Sequence, residues 1–172
     1  MNNFDDLVYT YKHRKIVMFL ANLYFDNDEL FEQLKKHDMD KMYLLLFYEK
    51  KSINKFHRSI SSHHDNELPK TELDYIEMVL DWESARYTKD DKPLNAYDTM
   101  NKFYPNLKDK ILPILEKMGL DYSTTEKDKR VVEYRNTIDK ITTEDIKKEL
   151  IDYINNSFPN NKVKQKTREN SR

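Results

Sequence analysis

The sequence predicts an all-α fold of about six to eight helices with at most a trivial β element. Two observations carry that expectation. Apolar residues recur at helical spacing in nearly every segment. A single glycine stands among 172 residues, where an average chain has near 7%, so the tight turns of a hairpin-rich fold have few residues to build them. The absence of cysteine excludes disulfides and thiolate zinc sites, and any metal must use His, Asp, Glu and water.

The elements follow in order. Phe4, Leu7, Val8 and Tyr11, continued by Ile16, Val17, Leu20 and Leu23, predict a first helix over 3–24, with His13 near its inward face. Asp26-Asn27-Asp28 reads as a turn, with Asp28 capping a helix over 29–36 whose stripe is Leu30, Phe31 and Leu34. The apolar run 42–48 suits a buried helix turn or a buried strand, and the helical surroundings favour helix. Ser61, Ser62, Asp65 and Asn66 mark a helix end or loop after His57. A strong helix is expected over 69–86, with Pro69 near its start and Leu73, Ile76, Leu80 and Ser84 facing inward. Residues 89–93 form a polar turn, and a helix over 94–104 is ended by Pro105. The helix over 107–118 is stopped by Gly119, and Pro113 predicts a kink or break within it. Capping-box patterns at Ser123–Glu126 and Thr142–Asp145 predict helices over 126–139 and 143–157. This pair lacks histidine and is read as packing or homo-oligomerisation. The tail 160–172, basic and nearly without apolar residues, is expected to be disordered.

The chain is long enough for one domain with a sizeable core. Its net charge of −1 predicts no strong general affinity for nucleic acid or anionic membrane. No Gly-rich phosphate loop exists, and no stretch approaches the ~20 apolar residues of a membrane span. The first residues lack the basic start and apolar run of a signal peptide, so a soluble, cytoplasmic protein is expected.

The residues that carry chemistry are concentrated. His37-Asp38 places a nitrogen and an oxygen ligand side by side at the end of a buried stripe. Three of the five histidines, His57, His63 and His64, fall within eight residues. Glu77 and Asp81, at i and i+4, project together from an apolar helix face, where carboxylates are costly unless paired, hydrogen-bonded or bound to a cation.

The series His13, His37-Asp38, His57, His63-His64 and Glu77-Met-Val-Leu-Asp81-Trp82 resembles the HD-domain superfamily, in which His, His-Asp and a later Asp on separate helices bind a catalytic metal. More narrowly, the chain is similar over about residues 9–104 to a family of bacterial and phage proteins. Its hallmarks are an early His, His-Asp-x-Ser-Lys, a His followed six residues on by His-His, and Glu-Met-x-x-Asp-Trp. Asp40 stands where that family usually has Ser, and Ser61 where it often has Asn. The resemblance implies an HD-domain-like helical bundle over 1–120; it does not cover the C-terminal helices, which are read from their capping patterns as an extension over 121–159. It implies His13, His37, Asp38 and Asp81 as ligands of a divalent ion (Mn, Fe, Co, Ni, Zn or Mg). His57, His63 and His64 either complete a second metal site or bind phosphate; Glu77 is general base or orients a ligand; Lys41 and Arg58 neutralise phosphate oxygens. The expected activity is hydrolysis of a nucleotide or related small phosphoester. The alternatives are a non-catalytic nucleotide- or protein-binding module on the same scaffold, such as a viral inhibitor of a host system, and a helical interaction protein with incidental histidines.

Overall fold

A computed structural model describes residues 3–159. Among them are nine α-helices, one 3₁₀ turn and no strand, so the fold is all-α. The helices are α1 Asn3–Tyr24, α2 Asp28–Leu34, α3 Met39–Leu44, α4 Lys50–Ile60, α5 Glu72–Thr88, α6 Ala96–Phe103, α7 Lys108–Met118, α8 Lys129–Ile138 and α9 Thr143–Ser157, with the 3₁₀ turn at Pro105–Leu107. The chain divides into two compact units after Lys140.

In the first unit, α1 and α5 pack along one another, α8 lies against both, α7 packs on α5 and α6, and α2 and α3 flank α1. The core between them holds Ile16, Leu20, Leu30, Met78, Leu80 and Leu115, all essentially without solvent contact. In the second unit, α9 opens with the expected capping box, Thr142 and Asp145 bonding each other's backbone N–H reciprocally. Ile146 and Leu150 are its buried residues. The tail expected to be disordered lies outside the described residues.

Several boundaries differ from expectation, each for a local reason. The N-cap of α2 is Asn27, whose side chain accepts from Leu30 N, and Asp28 is already helical. The helix stops at Leu34, so the chain breaks across His37-Asp38 and restarts as α3, giving one helix more than the upper expectation. The reading of α3 as helix holds, though it covers 39–44 and gives way to turns by Leu45. α5 begins three residues after Pro69, because Thr71 and Asp74 form a capping box there. Pro113 does not break α7: it is solvent-exposed, so water can satisfy the carbonyl that its missing N–H abandons. Gly119, at φ 67°, ends that helix with Leu120 N donating to Leu115 O and Gly119 N to Glu116 O, the paired bonds of a Schellman stop.

The helix expected from Glu126 starts only at Lys129, capped by Asp128. Tertiary partners hold the preceding segment out of helix: Arg86 donates to Glu126 O, Asp128 N donates to the Tyr87 hydroxyl, and Ser123 donates to Asp98. Fully buried Arg86, which also pairs with Glu83, therefore ties this segment to α5.

Candidate metal centre

Four parts of the first unit deliver the polar side chains. α1 carries His13; the break between α2 and α3 carries His37 and Asp38; α4 and the loop after it carry His57, His63 and His64; α5 carries Glu77 and Asp81. The break is what turns His37 and Asp38 into one space, since neighbours on a continuous helix diverge by about 100°. It is made by Asp38, the one non-glycine residue with positive φ (55°) among those described. Asp tolerates that left-handed conformation better than most residues, at a cost of about 1–2 kcal/mol. Buried Arg14 collects the carbonyls freed there, donating to His37 O and, at 3.0 Å, to Lys35 O.

The imidazoles are held from outside. Ser84 Oγ gives its proton to Asp81 O at 2.8 Å, so it accepts from His13 Nδ1 at 3.0 Å. Glu77 Oε1 accepts from His37 Nδ1 at 2.8 Å and sits 3.1 Å from His63 Nδ1, while Gln33 donates to Glu77 Oε2 at 2.6 Å. Asp40 accepts from His57 Nδ1 at 2.7 Å. With Nδ1 occupied in each case, the Nε2 lone pairs turn inward, the arrangement by which outer partners fix a metal-ligating histidine's tautomer.

The inward atoms converge on two adjacent positions that share Asp38. Around the first, His13 Nε2 lies 2.7 Å from Asp81 Oδ1 and 3.5 Å from His37 Nε2; Asp38 Oδ2 is 4.0 Å and 3.9 Å from the same two nitrogens. Around the second, Asp38 Oδ1 lies 2.9 Å from His57 Nε2 and 3.8 Å from His63 Nε2, and His57, His63 and His64 offer nitrogens within 4.8 Å of one another. Asp38 Oδ1 and the Nε2 atoms of His57, His63 and His64 are buried with no hydrogen-bond partner. His57 Nε2 and Asp38 Oδ1, 2.9 Å apart, pair as ions. Buried polar atoms left without a partner cost about 1–3 kcal/mol each, and a cation among them removes the cost. The residues are thus positioned to hold a metal ion.

Protonation replaces that cation only in part. Burial lowers the His37 pKa despite Asp38 and Glu77 beside it, and burial with His63 nearby pulls His64 down to about 3, so both rings stay neutral at pH 7. His57 and His63 behave oppositely: burial opposes their charge, but contacts with Asp38 and Asp40 raise His57 to about 9, and Glu77 raises His63. The carboxylates remain ionised. Burial pushes Asp38 up, yet His37 and Lys41 hold it well below the usual range; Asp81 and Glu77 are likewise lowered against burial, by His13 and by His37 with His63.

Every expected ligand therefore lies in the cluster. Lys41 donates to Asp38 Oδ2 at 2.8 Å, and Arg58 stands apart on the exposed wall of the cavity above. Of the two roles open to Glu77, the geometry supports orientation, since both its oxygens are taken. Sequence reasoning did not assign Asp40, Ser84 and Gln33. Asp40 and Ser84 sit two and three residues after ligand positions, a spacing that offered a signal; Gln33 offered none. A cavity of about 590 Å³ opens over the cluster, reaching His13, Asp38, His64 and Asp81.

Fold and site together define an all-helical protein with a buried histidine–carboxylate cluster positioned to hold metal. Comparison with protein-family models, curated proteins and solved structures finds no match. No helix among the described residues is long and apolar enough to cross a membrane.

Proposed function

We propose that this chain is an HD-domain-like, metal-dependent phosphohydrolase with a two-ion centre bridged by Asp38. His13, His37, Asp81 and Asp38 Oδ2 would hold one divalent ion, and His57, His63, His64 and Asp38 Oδ1 the other. A bound ion pair supplies Lewis-acid charge for phosphoryl oxygens and acidifies water. The observation that carries the reading is the convergence of buried imidazole nitrogens on the two oxygens of Asp38, with the Nε2 atoms of His63 and His64 left without a hydrogen-bond partner. His64, kept neutral by burial and by His63 beside it, presents a lone pair that attracts a cation and repels phosphate oxygen, which favours a second ion over phosphate there.

The remaining residues have separable tasks. Glu77 orients His37 and His63, Asp40 orients His57, and Ser84 orients His13. Lys41 sits on the cavity wall beside Asp38, placed to neutralise a phosphoryl oxygen, with Arg58 further out. The test is phosphate release from p-nitrophenyl phosphate and nucleoside monophosphates by chelator-treated protein with and without added Mn²⁺, beside His37→Ala. Metal-dependent release abolished by that substitution is expected. Metal uptake without turnover on any phosphoester would overturn hydrolysis in favour of a binding module.

A further inference from the structure

The cavity above the cluster extends well beyond it, and its volume of about 590 Å³ falls in the range that buries a whole small ligand, roughly 300–1,000 Å³. Its wall has two chemistries besides the ligands. The first is aromatic: Trp82, next to Asp81, stacks on Tyr104 with centroids 4.6 Å apart and planes 9° from parallel, and both line the cavity with Phe103. The second is cationic: Lys41, Arg58, Lys89, Lys92 and Lys102 line it against the carboxylates of Asp38, Asp81 and Asp91. Five cations less three carboxylates leave +2 on one wall of a chain whose net charge is −1. Lys41 alone among them is in an ion pair within the described residues; Lys89 instead lies over the Tyr9 ring, 4.9 Å from its centroid.

Resting on the phosphohydrolase reading, we infer that the leaving group is a nucleoside: the substrate is a nucleotide whose base lies against the Trp82–Tyr104 pair and whose phosphate is drawn in by Lys41, Arg58 and Lys89, water adding to phosphorus as the P–O bond to the sugar breaks. A flat, rigid π-surface beside a ligand carboxylate suits a base, because stacking accepts any base face and is strengthened where nearby cations anchor the phosphate. A sugar phosphate would satisfy the cations and leave the aromatic pair unused. Trp82 and Tyr104 are then specificity-determining, and discrimination should appear in binding as well as in turnover.

The chain has one tryptophan, so Trp82 emission reports directly on the wall. The experiment titrates AMP, ribose 5-phosphate and inorganic phosphate into the full chain, metal-free and with Mg²⁺, following that emission and, for ligands that leave it unchanged, binding heat. AMP should quench emission saturably and bind about 5- to 150-fold more tightly than ribose 5-phosphate, the range that stacking one base provides. Tyr104→Ala should erase that preference without altering metal affinity, and Lys89→Ala should weaken both sugar-containing ligands alike. Equal affinity for AMP and ribose 5-phosphate, or AMP binding without an emission change, overturns the inference, and neither comparison needs a variant. The two readings fail separately: metal uptake and phosphate release without a base preference removes the aromatic platform alone, whereas AMP preference with neither metal uptake nor hydrolysis removes the metal chemistry and keeps the platform.

Discussion

Replacing Asp81 by Asn separates a metal ligand from a packing residue. Asp81 Oδ1 lies 2.7 Å from His13 Nε2 and 3.9 Å from His37 Nε2, on a side chain 18% exposed at the cavity floor. Asn has the same shape, and its amide can donate to the His13 lone pair, so the chelated variant should melt within a few degrees of the parent. Its metal response should differ sharply. At a free-metal concentration 100 times Kd, each ion adds about 2.7 kcal/mol, or about 5–11 °C in a chain of this size at 2–4 °C per kcal/mol. Loss of the charged ligand that weakens binding about 100-fold brings the same concentration down to the new Kd, where only about 0.4 kcal/mol remains. That ion's share of the rise falls to about 1–2 °C, while the ion held by His57, His63, His64 and Asp38 Oδ1 keeps its own share. Thermal melts by circular dichroism, with Mn²⁺ and with EDTA, read both numbers. An unchanged metal-induced rise in Asp81→Asn would refute the assignment of Asp81 as ligand, and a collapse in EDTA would show that its role is structural.

Three other substitutions probe separate links. Asp40→Ala frees His57 Nδ1 and should weaken the second metal step about 10- to 100-fold, with the first unchanged, in calorimetric titration. Arg86→Ala leaves Glu83 buried without its cation and Glu126 O without its donor; urea melts should show a loss of about 3–5 kcal/mol, and the protein that remains folded should bind metal normally. Thr71→Ala removes the side-chain half of the α5 capping box and should cost about 1 kcal/mol in the same melts, with no effect on metal affinity.

The all-α class was legible because periodicity survives in α1, α5 and α9, whose inner faces recur as the buried residues of the structure. That these side chains gather in one cluster was legible for a different reason: imidazoles and carboxylates on apolar stripes are costly enough to need an explanation wherever they occur, and the resemblance grouped them. What could not be read was tertiary. The Ser123–Glu126 capping pattern is locally sound, yet Arg86, forty residues upstream, takes the Glu126 carbonyl and holds the segment extended. The left-handed Asp38 that aims two adjacent side chains, its own and that of His37, into one space leaves no mark in the periodicity, and Gln33 behind Glu77 is indistinguishable from a solvated glutamine until α2 is docked on α5. The departure of Asp40 from the resembled pattern turned out to matter: the structure uses its carboxylate to hold His57.

The central claim is that Asp38 bridges two ions, and stoichiometry tests it most directly. Chelator-treated protein, dialysed to equilibrium against Mn²⁺ and assayed for metal, should retain two equivalents per chain. Asp81→Asn should retain one, His64→Ala should retain one, and Asp38→Ala should retain neither, with circular dichroism confirming that each variant is folded. Two equivalents retained by folded Asp38→Ala, or no saturable uptake by the parent chain, would contradict the account.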